Sequence, residues 1–338
     1  MTFFELYSRQ ISYRDNCYHE LMLTLKKLPA NFNLALTKQI ICSNQRGYIA
    51  LSGAETLKFL QGQVTCDISQ INHHSVLKGA HCSPSGGVIF TFNAHSLLNG
   101  DIILEINASI IDIAIGSLQK YSKFFKVDID DVSDKFYNFL IAGPEIESVL
   151  RTLFNLVPTM KCGRVGNDIG WLSCIEKGQY AFTCYRDLDF SKLYSLNGLT
   201  YVDENFADLL TLRTGFSEVT KETSDRFIPQ MLNLDSQGFI NFKKGCYTGQ
   251  EVIARTHYRG SVKRRTRALR CSLRSLPEPG CKIFSSSNKL LGQVTAAAWI
   301  NKNEVEMLAV IPEKQEELSN LQIAGETLIQ AYGIPIEY

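Results

Sequence analysis

The cysteine best placed to do chemistry is Cys246, which lies in the run Lys244-Gly245-Cys246-Tyr247-Thr248-Gly249-Gln250-Glu251. We expect Thr248 to cap a short helix that begins at about Gly249. Cys246 would then lie just before the positive end of a helix dipole, with Lys243 and Lys244 beside it, and both effects favour the thiolate over the thiol. The pattern predicts a reactive cysteine. A cysteine that only fills a gap in the core is the alternative.

The other cysteines and the histidines show no ligand pattern. The chain has ten cysteines among its 338 residues, and none of them forms the C-x-x-C spacing that is typical of structural zinc sites. Disulfide frameworks belong to short secreted chains, so we expect reduced thiols and no metal site. His73, His74 and His81 also lack ligand spacing, and we interpret them as surface histidines.

The composition is that of a folded chain with two or three domains. Hydrophobic residues make up 45% of the sequence, charged residues 20%, and the net charge is +1. These values argue against disorder and against a polycation that coats nucleic acid. The first residues lack the pattern of a signal peptide, and no apolar run reaches the roughly 18 residues of a membrane span. We therefore expect a cytoplasmic protein that does not associate with membranes.

The first part of the chain predicts mixed helices and strands. A helix is expected to include residues 57–61 and to end at Gly62. Residues 88–92 and 102–106 have the composition of strands. Asn99-Gly100 between them is a strong signal for a hairpin turn.

The rest of the chain changes character twice. A helix is predicted over about residues 109–124, and the acidic, polar stretch 126–133 indicates a module boundary. Residues 136–143 form an apolar run that is typical of a buried strand. From Arg265 onward, short β-like runs separated by turn residues predict a small barrel or sandwich. The order of these elements favours the α+β class over a doubly wound sheet.

Four segments resemble the YgfZ family and follow one another in the order that the family has. They are Phe59-Leu60-Gln61-Gly62-Gln63-Val64-Thr65-Cys66-Asp67, Gly79-Ala80-His81-Cys82, Phe227-Ile228-Pro229-Gln230 and Lys244 to Glu251. The last segment matches the K-G-C-Y-x-G-Q-E signature of that family. Because the matches are specific and span most of the chain, the sequence is identified as a member of the family.

The resemblance implies the fold of the glycine-cleavage T-protein. That fold has two ferredoxin-like α+β modules and a C-terminal β-barrel around a central channel. In this chain, residues 1–125 with 205–260 would form the folate-binding module, 126–204 the second module and 261–338 the barrel. The resemblance further implies a tetrahydrofolate-type ligand and a role in the assembly or repair of iron–sulfur enzymes. These client enzymes would include enzymes that thiolate tRNA, and Cys246 would be the functional cysteine.

Candidate ligand-binding residues follow from the same segments. Gln230 and Asn233 are the candidates for the pterin side, because an amide both donates and accepts hydrogen bonds, as a pterin edge requires. The other candidates lie at the end of the first helix or around the signature: Gln61, Gln63, Thr65, Lys244, Tyr247, Gln250 and Arg255.

An aminomethyltransferase of the T-protein type is the alternative function. That chemistry needs a carboxylate near the folate nitrogens, and in T-proteins an aspartate follows the glycine pair of one strand. Here Gly86-Gly87-Val88-Ile89 is followed by Phe90 and Thr91. Neither side chain can replace a carboxylate, so we expect an accessory factor rather than a transferase.

Residues 243–274 form a basic stretch that allows three interpretations. It holds ten basic residues and one acid, Glu251. The stretch could be a solvated strand and linker, an anion site for the glutamate tail of folate, or a patch that contacts the phosphates of tRNA. Its aromatic residues are Tyr247 and Tyr258. Two aromatic rings among so many cations do not favour a platform on which the bases of a single strand would stack.

Overall fold

The computed structural model describes residues 39–187, 199–313, 321–323, 326–327 and 332–334. The described residues divide into two compact units. The first unit takes its residues from 1–44 and 134–207, and the second from 45–133 and 208–338. The three-module division expected from the sequence stays a prediction.

Runs of strands are interrupted by helices along the described part of the chain. The strands are β1 (Gln39–Ser43), β2 (Arg46–Ser52), β3 (Leu77–Cys82), β4 (Val88–Ser96), β5 (Ile102–Asn107), β6 (Asp128–Asp131), β7 (Phe136–Ala142), β8 (Arg164–Asn167), β9 (Gly170–Glu176), β10 (Gln179–Tyr185), β11 (Leu199–Val202), β12 (Arg264–Ser272), β13 (Lys282–Phe284), β14 (Leu290–Trp299), β15 (Glu304–Pro312), β16 (Gln322–Ile323), β17 (Glu326–Thr327) and β18 (Tyr332–Ile334). The α-helices are α1 (Thr56–Gln61), α2 (Ile111–Ser122), α3 (Ile146–Leu150), α4 (Glu204–Arg213) and α5 (Gln250–Arg259). This mixture confirms the predicted α+β class.

The first unit is built on a six-stranded sheet in the order β11-β1-β7-β10-β9-β8. β1 runs parallel to β11, and the other pairs are antiparallel. All seven residues of β7 are buried, which confirms the buried strand predicted for residues 136–143. The core of this unit includes Ile141, Leu172 and Phe182. The ring of Phe154 meets that of Phe182 edge to face, with the centroids 5.5 Å apart.

The second unit contains a five-stranded sheet in the order β3-β4-β5-β2-β6. β4 and β5 pair as the predicted hairpin, and Gly100 in its turn has φ of 91°, a conformation that favours glycine. Ala114 and Leu118 lie four residues apart on α2, and Ile110, which directly precedes the helix, continues the same spacing; all three are fully buried. This spacing gives the helix one apolar face. The predicted helices therefore exist, with α1 ending at Gly62 as expected.

The same unit also contains a seven-stranded sheet in the order β17-β16-β13-β14-β15-β12-β18. Its core is made of small and medium apolar side chains that include Leu269, Ile283, Val294 and Met307. The β-rich C-terminal region predicted from Arg265 onward is confirmed as a sheet. Its closure into a barrel stays a prediction.

Within the described ranges, no helix combines the length and the apolar character that crossing a membrane requires.

Candidate functional site

Lys244, the first residue of the signature, connects the signature with the segment Phe59–Asp67. Its ammonium donates hydrogen bonds to the backbone oxygens of Gln61, Val64 and Cys66, at 2.8, 2.6 and 2.7 Å. The Gln61 carbonyl belongs to the last residue of α1, and those of Val64 and Cys66 belong to the segment that follows it. Burial lowers the pKa of the Lys244 ammonium to about 8. Three carbonyl acceptors around one ammonium fix the position of the lysine and of the signature that carries it.

Further hydrogen bonds connect the segment after α1 with residues 239–248, and we call this region the junction. The hydroxyl of Thr65 donates to the Phe239 oxygen at 2.7 Å and accepts from the Ala80 N–H at 2.9 Å. The N–H of Asn241 donates to the Thr65 oxygen, and the N–H of Thr248 donates to the Gly62 oxygen. Segments that lie far apart in the sequence thus form one hydrogen-bonded structure.

Cys246 is exposed in this rigid setting. Among the nine cysteines that the structure describes, six are buried, Cys162 and Cys281 are partly buried, and Cys246 alone is exposed. The neighbouring Tyr247 is buried, and its ring lies 5.2 Å from the ammonium of Lys244. The residues on either side of Gly245-Cys246 are therefore held in place while the thiol faces solvent.

α5 starts where we expected a helix, but its cap differs from the prediction. The helix begins at Gln250, and Gly249 precedes it with φ of 83° and no side-chain cap. Thr248 does not cap the helix, because its hydroxyl lies 3.4 Å from the Gln63 amide oxygen. A Cβ at Gly249 would stand 2.5 Å from the Ser83 oxygen, so only glycine allows this close approach.

Gln230 and Asn233, the pterin-side candidates, lie in and after a short 3-10 helix at Pro229–Leu232. Both are buried. The Gln230 amide nitrogen donates to the Ile253 oxygen at 2.8 Å, and the Asn233 amide nitrogen donates to the Thr266 oxygen at 2.9 Å. The Gln230 amide oxygen is buried and has no hydrogen-bond partner among the described residues.

The remaining candidates have different surroundings. The Gln61 amide donates to Asp67 and accepts from the Ile68 N–H. Gln63 and Thr65 are buried, Gln250 is half-buried and Arg255 is exposed. The structure brings Gln61, Gln63, Thr65, Lys244, Tyr247 and Thr248 together around one junction. Their role toward a folate stays a prediction.

A buried ionic cluster was missed by the sequence analysis. Arg46 donates to Glu105 at 3.1 Å and also contacts Glu218, while His95 lies 3.3 Å from Glu105. Burial by itself would raise the pKa of Glu105, but the charge of Arg46 and the hydrogen bond from His95 lower it to about 2. The sequence did contain one signal for this cluster, which is a glutamate in the middle of the apolar strand Ile102–Asn107. A buried glutamate needs a charged partner, so its position predicts an ion pair.

The strand that would carry a transferase carboxylate has none at the expected position, which Phe90 and Thr91 occupy. Phe90 and Thr91 on β4 are fully buried. Farther along β4, Asn93 pairs with Glu105 on β5, and that carboxylate is bound by Arg46. Glu105 is thus a buried carboxylate near this strand that is already neutralised.

His81 is not a surface histidine, so that expectation was wrong. Its side chain is fully buried, with Nδ1 2.8 Å from the Gln63 oxygen and Nε2 2.9 Å from the Ser117 hydroxyl. Burial lowers the pKa of His81 to about 4. His73 and His74 are exposed, as expected. In the described part of the chain, no group of three or more His, Cys, Asp or Glu side chains could hold a metal ion.

The basic stretch separates into paired and exposed residues. Arg265 makes two hydrogen bonds with Asp235, each of 3.0 Å, and Arg270 lies 4.0 Å from Glu306. The exposed members of the stretch include Lys243, Arg255, Arg259, Lys263 and Arg264.

Comparison with solved structures defines the class of protein. The aminomethyltransferase T of the glycine cleavage system from Bartonella henselae superposes with a TM-score of 0.71 and 14% identity. The match covers 89% of this chain and 86% of that one. This likeness confirms the fold of the glycine-cleavage T-protein.

Sequence relatives give the family. The tRNA-modifying protein YgfZ of Colwellia psychrerythraea is 35% identical over 260 residues, which are 76% of this chain and 78% of that protein. The same-named protein of Escherichia coli is 31% identical over 82% of this chain and 86% of its own length. That of Hamiltonella defensa is 28% identical over 93% of both chains. No family model matched the chain. The chain belongs to the YgfZ family.

Proposed function

We propose that this chain is a cytoplasmic folate-binding accessory factor that supports the assembly or repair of iron–sulfur enzymes. Its client enzymes include those that thiolate tRNA, and Cys246 is its reactive residue. Membership of the YgfZ family and the T-protein fold support the proposal. So does the name of the relatives, which are called tRNA-modifying proteins. Two ferredoxin-like modules and a closed C-terminal barrel with a central channel are part of the same proposal.

The exposure of Cys246 is the observation that carries the proposal. A buried thiol is shielded from reaction partners, whereas Cys246 is exposed and lies between Lys244 and Tyr247, which are both held in place. A fixed and accessible thiol suits a protein that transfers sulfur, ligates a cluster transiently or reacts with a folate-borne carbon.

The buried polar groups fit a folate in part. The Gln230 amide oxygen is a buried acceptor without a described partner, and a pterin presents N–H donors that such an acceptor could satisfy. Gln61, Lys244, Gln250 and Arg255 are the candidates that are at least partly exposed. A bound reduced folate would supply a carrier for one-carbon units. The chain's own contribution is to hold the pterin edge and to present Cys246.

An aminomethyltransferase is the second candidate, because the T-protein fold favours it. The buried Phe90 and Thr91 and the pairing of Glu105 with Arg46 argue against it. This candidate predicts turnover when the purified protein is given tetrahydrofolate and a one-carbon donor.

Substitution of Cys246 in the native organism tests the proposal. We expect Cys246→Ala to reduce the thiolated nucleosides of tRNA, measured by mass spectrometry, to the level of a strain that lacks the protein. The control is Cys281→Ala, which removes a partly buried cysteine outside the signature and should leave those nucleosides unchanged. Wild-type amounts of the thiolated nucleosides in a Cys246→Ala strain with normal protein levels would contradict the proposal.

A further inference from the structure

Three ring side chains form a cluster at the C-terminal end of α5. The rings of Phe242 and His257 are stacked, with centroids 3.8 Å apart and an angle of 15° between their planes. The ring of Tyr258 meets His257 edge to face at 4.8 Å. Tyr258 is 67% exposed, so the cluster presents an aromatic surface to solvent.

The cluster forms one wall of a cavity of about 420 Å³. Gln70 and Asn241 also line the cavity, and their amides can donate and accept hydrogen bonds. Lys243 lines it as well, and its ammonium can bind an anion. A volume of this size is within the range of small-molecule sites and accommodates one nucleobase with its sugar. The cavity therefore combines a ring-stacking wall, amide groups and a cation.

Exposed cations continue from the cavity along α5 and beyond it. Arg255 and Arg259 are four residues apart on the helix, so their side chains are neighbours, and Tyr258 lies beside them. Lys263 and Arg264 follow the end of the helix. All four are exposed, and among the described residues none of them, nor Lys243, has an ion-pair partner.

Little negative charge opposes these cations. Asp67 lines the cavity and keeps its negative charge, which hydrogen bonds from Gln61, Ser69 and Gln70 stabilise. Glu251 is exposed on the first turn of α5. The surface therefore has an excess of positive charge next to exposed rings.

We propose that this surface binds a segment of single-stranded nucleic acid. One base lies in the cavity against Phe242, His257 and Tyr258, and the phosphates contact Lys243, Arg259 and the cations around them. Stacked bases and repeated phosphates match alternating rings and cations, whereas a chain of carboxylates would leave the rings unused. This binding goes beyond the proposed function and requires neither a folate nor Cys246.

Fluorescence anisotropy with a labelled ten-nucleotide RNA of uridines and the full-length protein tests the proposal. We expect saturable binding whose log–log salt dependence between about 50 and 200 mM has a slope of about −3, as four phosphate contacts to a single strand would give. Failure to bind at the lower salt concentration, or binding that salt does not weaken, would overturn the proposal. Displacement of the RNA by free uridine monophosphate or by polyglutamate as readily as by unlabelled RNA would overturn it as well.

Matched variants locate the surface. Tyr258→Ala should weaken binding by about five- to 100-fold with little change in slope, because it removes stacking. Arg259→Gln with Arg264→Gln should make the slope shallower by about 1.4, because two phosphate contacts are lost. The control is Lys289→Gln with Lys302→Gln, which removes two exposed lysines from turns of the seven-stranded sheet and should bind as the wild type does. Equal binding by all three variants would contradict the location.

Discussion

Cys246 and Lys244 are two residues apart in the signature, and their surroundings are opposite. Lys244 is held by three backbone carbonyls, whereas Cys246 is exposed. The sequence predicted a reactive Cys246 from a helix end and two lysines. The structure changes that argument, because Lys244 donates to the backbone at the end of α1 and Thr248 does not cap the helix. The case for Cys246 now depends on accessibility and a fixed backbone.

His81 makes the stability of the fold dependent on pH. Burial keeps it neutral, with a pKa of about 4 in the folded state against an ordinary value of 6.5. Between pH 6.5 and 4 the unfolded chain binds more protons at this residue than the folded chain does, so stability falls as the pH falls. Denaturation by urea at pH 7 and at pH 5 should show a loss of about 2 kcal/mol that is due to His81.

Two substitutions separate this contribution from that of other groups. His81→Gln removes the titrating group. Between pH 7 and pH 5 this variant should therefore lose about 2 kcal/mol less stability than the wild type does. The exposed His74 supplies the control, because His74→Gln should keep the wild-type pH dependence. An unchanged pH dependence in His81→Gln would show that the residue is not held neutral.

At the scale of the elements, the junction between the turn after α1 and the signature should contribute strongly to stability. Lys244→Met leaves three carbonyl acceptors without their donor, and hydrogen bonds to charged groups are each worth about 1.5–3 kcal/mol. We expect a loss of about 2–4 kcal/mol in the free energy of unfolding, measured with urea.

Lys243→Met is the matched control for this loss. Lys243 is adjacent in the sequence and exposed, so its substitution should change stability by no more than about 0.5 kcal/mol. If both variants were equally stable, the three hydrogen bonds of Lys244 would contribute nothing to the junction.

Local features of these elements could be predicted from the sequence, and long-range ones could not. The hairpin at Asn99-Gly100, the apolar face of α2 and the end of α1 at Gly62 follow from turn chemistry and periodicity. The contacts of Lys244 join positions about 180 residues apart, and no spacing rule relates such positions. His81 was misjudged for the same reason, because its partner Ser117 comes from another element.

The candidate site was predictable to a similar extent. Cys246 and the signature around it were evident from residue types. The ring cluster of Phe242, His257 and Tyr258 was not, because Phe242 lies outside the helix and stacks on it only in the folded chain. Glu105 could have been recognised as a paired buried charge, but its partner Arg46 could not.

At the scale of the whole molecule, fold and family support different parts of the account. The T-protein fold accounts for the expectation of a folate, and the YgfZ family accounts for the connection to tRNA modification. Phe90 and Thr91 of β4 are buried and supply no carboxylate at the position where we expect one in a transferase. We therefore expect that the protein binds a reduced folate without converting it.

An anaerobic calorimetric titration of the purified protein with tetrahydrofolate tests that claim most directly, with the folate recovered afterwards and examined by mass spectrometry. We expect saturable binding of one folate per chain and recovery of unmodified tetrahydrofolate after incubation with a one-carbon donor. Absence of binding, or conversion of the folate over repeated turnovers, would contradict it.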